Sequence, residues 1–168
     1  MSYSQLLVTG VCAAATTLLG ACAPFQAESF WGPAQNLSGL GTTFAWRQGV
    51  KCEPEASKAN VPDVENAVQE LIEESFTAKG YRRGDATKPD VYVCYRLGKV
   101  IALAETGFDS WDDAIIEVDL TDPATGGLVW RGRVRGPIDY AAAPDARKAR
   151  LETAVRQLMK PVPKAGRR

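Results

Sequence analysis

Hydrophobic and polar positions recur with two different periods along the chain, and these patterns predict strands and helices. Alternation with a period of two indicates a strand with one buried face, whereas spacing of three and four residues indicates an amphipathic helix. Strands are predicted at 42–47, 88–97, 113–121 and 128–135. Helices are predicted from Pro62 to Lys79 and from Pro144 to Pro161. The residues from Ile101 to Trp111 either extend the second strand or form the arm of a hairpin.

The two helices carry apolar stripes, which predict a common core. The first stripe consists of Val64, Ala67, Val68, Leu71, Ile72 and Phe76. The second consists of Leu151, Ala154, Val155, Leu158 and Met159. Strands that are grouped along the chain, with helices at separate points, are typical of the α+β class. We therefore expect an antiparallel sheet of about four strands with both helices packed on one face.

The third and fourth strands predict a hairpin, because turn-forming residues fill positions 122–127 between them. Their apolar faces coincide only when paired residue numbers have an even sum. A sum of 248 places Glu117 opposite Arg131, and a sum of 250 places Asp119 opposite Arg131 and Glu117 opposite Arg133. Either register pairs opposite charges across the strands, and we interpret these charges as a solvated face of the sheet.

The first 21 residues are predicted to be an export signal. No charged side chain precedes Glu28, and an apolar stretch ends in Leu19-Gly20-Ala21-Cys22. This ending resembles the lipobox of bacterial lipoproteins, which implies cleavage before Cys22 and acylation of its thiol. Ala23 follows the cysteine, which by analogy with sorting rules points to the outer membrane. The alternative is an uncleaved membrane-spanning helix, because no Lys or Arg precedes the apolar stretch.

The rest of the chain is predicted to hold one folded domain. A flexible tether is expected at 22–41, because this segment shows neither period, followed by a single α+β domain at 42–163 and a basic tail at 164–168. Cys52 and Cys94 remain after removal of the signal and acylation of Cys22. An oxidising periplasm permits these two thiols to form a disulfide, and the alternative is two separate buried thiols.

Composition excludes several classes of protein. Lys and Arg number 20 and Asp and Glu number 20, so a basic nucleic-acid-binding surface is not expected. Histidine is absent, which excludes Ser-His, Cys-His and His-metal sites. Two cysteines without histidine do not make a zinc site. We therefore predict no catalytic residues, no metal and no cofactor.

Two groups of residues nevertheless invite a chemical interpretation. Asp109, Asp112 and Asp113 surround a tryptophan and offer carboxylates for calcium or for acid–base chemistry, although their spacing favours an exposed loop. Trp130 and Arg131 offer a ligand contact, although a buried indole, an ion pair and a glycine in a tight contact explain them better. An envelope hydrolase or small-ligand-binding domain using these residues is the alternative function.

Several short motifs, taken in order, resemble a family of bacterial lipoproteins known only as a domain of unknown function. The motifs are Phe44-Ala45-Trp46, Lys79-Gly80-Tyr81, Pro89-Asp90 with the strand after it, and Trp130-Arg131-Gly132. The similarity extends over residues 40–162 and implies no catalytic residues. The resemblance and the lipobox together predict a non-enzymatic envelope protein that is bound to membrane lipid through acylated Cys22, with any protein partner unidentified.

Overall fold

A six-stranded sheet, covered on one face by two helices, forms the described part of the protein. The computed structural model describes residues 25–32, 41–47, 62–103, 110–139 and 141–166. The strands are β1 (Gln26–Trp31), β2 (Thr43–Trp46), β3 (Arg82–Arg83), β4 (Val91–Leu103), β5 (Ser110–Thr121) and β6 (Leu128–Pro137). The helices are α1 (Pro62–Ala78) and α2 (Pro144–Met159). The α+β class and the two predicted helices are confirmed.

The sheet is larger than predicted and is mixed rather than antiparallel. Its strand order is β1-β6-β5-β4-β2-β3. The pairs β1–β6, β6–β5 and β5–β4 are antiparallel. Strand β2 runs parallel to both of its neighbours, β3 and β4. The parallel pairing follows from the connection, because α1 lies between β2 and β4 in the sequence and parallel neighbours require such a crossover. The expectation of about four antiparallel strands therefore describes β1, β6, β5 and β4, but not β2 and β3, which pair in parallel.

Strand β1 lies in the segment that was predicted to be a flexible tether, so residues 26–31 correct that prediction. All six residues of β1 pair with β6, from Gln26 opposite Arg135 to Trp31 opposite Trp130. The two indole rings lie 6.0 Å apart between centroids. Because the local sequence shows no clear alternation, contacts with β6 form this strand rather than intrinsic propensity.

The register of the β5–β6 hairpin is one of the two predicted registers. Glu117 lies opposite Arg133 and Asp119 opposite Arg131, so the paired numbers sum to 250. Strand β4 continues to Leu103 and pairs there with Ser110 of β5. The segment after residue 100 therefore both extends the second predicted strand and forms a hairpin arm. Residues 104–109 lie outside the described residues.

The core lies between the sheet and the two helices. Phe44 of β2 stacks on Phe76 of α1 with ring centroids 4.8 Å apart. The largest fully buried side chain is that of Trp130, which packs in the same cluster as Leu158 of α2. Each large apolar side chain buried in this way stabilises the fold by roughly 1.5–3 kcal/mol. The predicted apolar stripes of both helices thus share one core.

Asp90 fixes the entry to β2 from a distant part of the chain. Its Oδ2 accepts hydrogen bonds from the backbone N–H groups of Thr42 and Thr43, at 2.9 and 3.0 Å, and from the Thr43 hydroxyl at 2.8 Å. Gly41 has φ of 68°, and a Cβ atom there would lie 2.2 Å from the Asp90 Cγ. The Pro89-Asp90 motif therefore joins β4 to β2, and only glycine fits beside it.

Tyr81 follows the glycine that ends α1, and its side chain is 1% exposed. The hydroxyl finds no hydrogen-bond partner within the part of the chain that the structure describes. Burial raises the pKa of Tyr81 to about 12. The folded protein therefore keeps a proton that the unfolded chain loses near pH 10, so stability is lost as the pH rises from about 10 to about 12.

We expect Tyr81→Phe to raise the free energy of unfolding by about 1 kcal/mol at pH 8, because the unpaired hydroxyl is removed. The advantage over the wild type should grow above pH 10, since phenylalanine does not ionise. Urea denaturation at pH 8 and pH 11 measures both effects. Tyr95→Phe is the control, because the Tyr95 hydroxyl donates to the Glu65 carbonyl at 3.1 Å and its loss should destabilise. A Tyr81→Phe protein less stable than the wild type at both pH values would contradict the expectation.

Candidate functional site

The face of the sheet opposite the helices carries a network of ion pairs. We call this surface the charged face, and define it by Arg96, Asp113, Glu117, Asp119, Arg131, Arg133 and Arg135. Successive side chains of a strand point to opposite faces, so the residues between them are the apolar ones that fill the core. Arg96 belongs to β4, the three carboxylates to β5 and the other arginines to β6. The pairing registers bring three strands together in one network.

Glu117 lies at the centre of the charged face. Its carboxylate contacts the Arg96 guanidinium, lies 2.7 Å from Arg133 Nη2 and lies 3.5 Å from Arg131 Nε. Asp119 receives two hydrogen bonds from Arg131, at 2.6 and 2.8 Å, and lies 3.1 Å from Arg96 Nη2. Such bidentate pairs are stronger than ordinary hydrogen bonds and fix the arginine geometry.

The carboxylates of the charged face are buried, which corrects the prediction of a solvated face. Asp113, Glu117 and Asp119 are 5%, 5% and 8% exposed. The arginines of β6 lie over them and keep part of each side chain in water. The physical reason is that long guanidinium side chains cover the shorter carboxylates, while β1 and β4 close both flanks. Removing one partner of such a buried pair costs more than breaking an exposed pair, which is worth about 1 kcal/mol or less.

Sequence reasoning found the pairs between β5 and β6 but missed the third strand. Arg96 is opposite Glu117 in the β4–β5 register, and its side chain is nearly buried. The alternation of β4 places Arg96 on this face. However, only the register shows which carboxylate it meets. Glu28 was missed as well, because β1 was not predicted, and it lies 3.3 Å from Arg133 Nη1.

Two hydrogen bonds hold the Arg131 guanidinium against the Asp119 carboxylate. The hydrogen bond to Asp119 is the main cause that raises the pKa of Arg131, and the charge of Asp119 adds to it, while burial opposes both. An arginine in this setting keeps its charge and holds an anion rather than transferring a proton. Since that anion is already Asp119, the geometry defines an internal ion pair.

The predicted aspartate cluster does not converge on one site. Asp112 and Asp113 are consecutive residues of β5, so the prediction of an exposed loop is wrong for both. Their side chains leave opposite faces of the sheet, where Asp112 lies 2.7 Å from Lys99 Nζ and Asp113 pairs with Arg135. Asp109 lies outside the described residues. The two described carboxylates therefore do not act together as an acid and a base.

Trp130 and Arg131 also point to opposite faces. The Trp130 indole is fully buried under the helices, whereas Arg131 lies on the charged face. Gly132 has no room for a side chain, since an added Cβ would lie 2.3 Å from Trp130 Cη2 and 2.8 Å from Leu158 Cδ1. In the Trp-Arg-Gly motif, Trp130 is therefore a core residue, Arg131 forms an ion pair, and Gly132 allows close contact with α2.

A shallow pocket of about 240 Å³ opens beside the charged face. Its lining residues are Glu28, Ser29, Phe30, Glu117, Arg131 and Arg133. Pockets that enclose small ligands usually have volumes of roughly 300–1,000 Å³. Within the described ranges, no group of three His, Cys, Asp or Glu side chains is placed to hold a metal ion. The pocket offers a charged groove with one exposed aromatic ring, Phe30.

The cysteines and the membrane-related predictions lie mostly outside the described residues. Cys94 of β4 is buried and disulfide-bonded. Cys22 and Cys52 are not among the described residues, so acylation of the first and the pairing of the second stay predictions. In the part of the chain that the structure describes, neither helix is long and apolar enough to cross a membrane.

Fold and charged face together define a two-layer α+β domain whose polar sheet face is an internal ion network. The chain belongs to the family described as "Domain of unknown function (DUF4136)", whose model matches residues 33–163. This assignment confirms the family resemblance seen in the sequence. No functionally curated protein is detectably similar in sequence.

Comparison with solved structures finds distant similarities. The PelC dodecamer from Paraburkholderia phytofirmans is 13% identical with a TM-score of 0.49, covering 84% of this chain and 99% of that one. A PDZ domain protein from Parabacteroides distasonis is 15% identical with a TM-score of 0.49, covering 86% and 36%. A minor lipoprotein from Acinetobacter baumannii is 8% identical with a TM-score of 0.41, covering 72% and 88%. These distant similarities carry no inference about function or assembly.

Proposed function

We propose that the protein is a lipid-anchored component of the bacterial cell envelope that acts as a binding or structural module without catalysis. The observation that carries the proposal is the sequence Leu19-Gly20-Ala21-Cys22 at the end of an apolar, uncharged stretch. Cleavage before Cys22 and acylation of its thiol would leave two or more hydrocarbon chains at the amino terminus. More than one chain makes membrane attachment stable, at roughly 0.8 kcal/mol for each buried methylene group.

A short connection between Cys22 and the folded domain supports this role. Phe25 packs against the core, and its carbonyl accepts a hydrogen bond of 3.4 Å from Gln157 Nε2. The Arg150 guanidinium carbon lies 5.8 Å from the centroid of the Phe25 ring. Two residues separate Cys22 from Phe25, so the link spans three chain steps and reaches about 10 Å at most. The proposed anchor would therefore hold the domain close to the membrane.

The charged face supports a role without catalysis. Each of its buried carboxylates is paired with at least one guanidinium group, so none is free to act as a base or nucleophile.

The disulfide bond of Cys94 fits an oxidising compartment, and we propose Cys52 as its partner. Ala23 after the acylated cysteine favours the periplasmic side of the outer membrane.

The anchor is tested by Cys22→Ala, which removes the thiol that would carry the lipid. We expect the wild type in the membrane fraction of the producing bacterium and the variant in the soluble fraction. Intact-mass spectrometry should show a diacylglyceryl addition on residue 22 of the wild type and none on the variant.

A conservative control keeps the rest of the signal intact. Cys12→Ala changes a thiol within the expected signal and should leave acylation and membrane attachment unchanged. Retention of the Cys22→Ala protein in membranes, or a wild type with an unmodified Cys22, would refute the proposed anchor.

A further inference from the structure

Strand β1 forms one outer edge of the sheet. Strand β6 lies on one side of it, and the described residues provide no strand on the other side. The residues from Gln26 to Phe30 are all exposed. The strand contains neither proline nor lysine, with which natural edge strands commonly block further pairing, and its single charge, on Glu28, lies beside Arg133 of the same molecule. The edge of β1 can therefore accept another strand.

The hydrogen-bond pattern shows which backbone groups of β1 face outward. The Gly32 N–H group donates to the Val129 carbonyl at 2.9 Å. Hydrogen-bonded and non-hydrogen-bonded pairs alternate along an antiparallel ladder, so the even-numbered residues of β1 bond to β6. Ala27, Ser29 and Trp31 form the other pairs, and their N–H and C=O groups point away from β6. Three donors and three acceptors therefore lie along the outer edge.

The helix layer stops short of this edge. Ala27 and Ser29 lie directly opposite Val134 and Gly132, so their side chains are on the helix side of the sheet. Val134 is buried in the core and Gly132 lies against α2, whereas Ala27 and Ser29 are exposed. Helix α2 therefore covers β6 and leaves the outer side of β1 open to a neighbour.

The other face of β1 exposes an aromatic ring. Phe30 lies opposite Arg131, which places it on the side of the charged face. Its side chain is 59% exposed, the largest exposure of any large apolar side chain among the described residues. An exposed aromatic ring beside an open strand edge is typical of a surface that is covered on association.

We propose that β1 pairs with β1 of a second copy of this chain, antiparallel, so that two sheets join into one. A two-fold axis normal to the sheet produces this arrangement, and paired residue numbers then have an even sum. A sum of 58 places Ser29 opposite Ser29 of the partner subunit, and Ala27 opposite Trp31 of the partner subunit. Each of these pairs exchanges two hydrogen bonds, so every outward-facing group of the three residues is satisfied.

The side chains favour this register over its neighbours. A sum of 56 would set Glu28 against Glu28 of the partner subunit, and like charges directly opposite each other destabilise a sheet. A sum of 60 would leave Ala27 without a partner inside β1. With a sum of 58, each Glu28 keeps its own Arg133, and the two Phe30 rings lie diagonally across the axis, within reach of each other. This self-complementary edge identifies the partner as a second copy rather than a strand of another protein.

Sedimentation equilibrium tests the association. The full-length protein in density-matched detergent should change from monomer to dimer mass as its concentration rises through the micromolar range, because one strand pair is a small interface. Ser29→Pro should abolish the dimer, since it removes an outward N–H group and leaves the hydrogen bonds to β6 in place. Ser29→Ala is the control and should dimerise like the wild type. Far-UV circular dichroism verifies that both variants are folded.

Cysteine cross-linking tests the register. Ser29→Cys places two thiols opposite each other, with Cα atoms about 5.5 Å apart, which is within the range of a disulfide. Ala27→Cys adds a thiol on the same face, but its two copies lie about 14 Å apart along the strands. Oxidation with diamide should give at least about fivefold more dimer from Ser29→Cys than from Ala27→Cys. The wild type, treated in the same way, corrects for links through the native cysteines.

The outcomes decide the proposal independently of the lipid anchor. A wild type that stays monomeric throughout this range, a folded Ser29→Pro protein that still dimerises, or equal cross-linking at positions 27 and 29 would overturn it. If Ser29→Pro does not fold, the comparison of the two cysteine variants decides.

Discussion

Replacing Glu117 with alanine is expected to lower the free energy of unfolding by about 3–5 kcal/mol. Glu117 is 5% exposed and is the shared partner of three guanidinium groups. Its removal leaves Arg96, which is nearly buried, with Asp119 as its remaining partner among the described contacts of the charged face. An uncompensated charge inside a protein costs more than the loss of an exposed pair, because water no longer solvates it.

Glu28→Ala is the matched control, since Glu28 also pairs with Arg133 but its side chain is 70% exposed. This change should cost less than about 0.5 kcal/mol. Urea denaturation followed by circular dichroism measures both variants, without reductant so that the disulfide is kept. Raising the salt concentration should reduce the effect of Glu28→Ala and leave that of Glu117→Ala nearly unchanged. Similar small losses for the two glutamates would show that the charged face does not stabilise the fold.

Gly132→Ala is expected to destabilise the protein by about 1–3 kcal/mol, although it adds only one methyl group. That methyl group would overlap the Trp130 indole and come within 2.8 Å of Leu158 Cδ1. Both side chains are fully buried, so neither moves without disturbing the contact between β6 and α2. Thermal unfolding monitored by tryptophan fluorescence and circular dichroism gives the size of the loss.

Gly127→Ala is the control within the same hairpin, because the nearest atom to its added Cβ is the flexible Thr125 Oγ1 at 3.2 Å. It should cost less than about 1 kcal/mol. Adding Trp130→Phe to Gly132→Ala removes the ring atoms that overlap, so the two changes together should cost less than the sum of their separate costs. Strict additivity would argue against a direct contact between these two positions.

The sequence predicted the hairpin and the core well, because their signals are local. Alternation in β5 and β6 limits the paired residue numbers to even sums, and the observed sum of 250 is one of the two predicted sums. Phe44 and Phe76, from two patterns identified separately, meet in one stack. In both places the hydrophobic period fixes which side chains turn inward, and packing then brings the predicted residues together.

The sheet edge and the burial of the charged face were not predictable in the same way. Strand β1 has a weak pattern of its own and exists through its pairing with β6. Arg96 reaches Glu117 only because β4 lies beside β5 in one register, and that register depends on the whole sheet. Burial of the carboxylates follows from those long-range pairings, so the same charges suggested a solvated surface when considered strand by strand.

The position of β1 has a practical consequence for boundaries drawn from sequence similarity. The family match begins at residue 33, just after this strand. A fragment that begins at that boundary would lack β1, and the indole of Trp130 would lose its contact with Trp31. It would leave β6 as a bare edge, the kind of surface on which foreign strands nucleate aggregates.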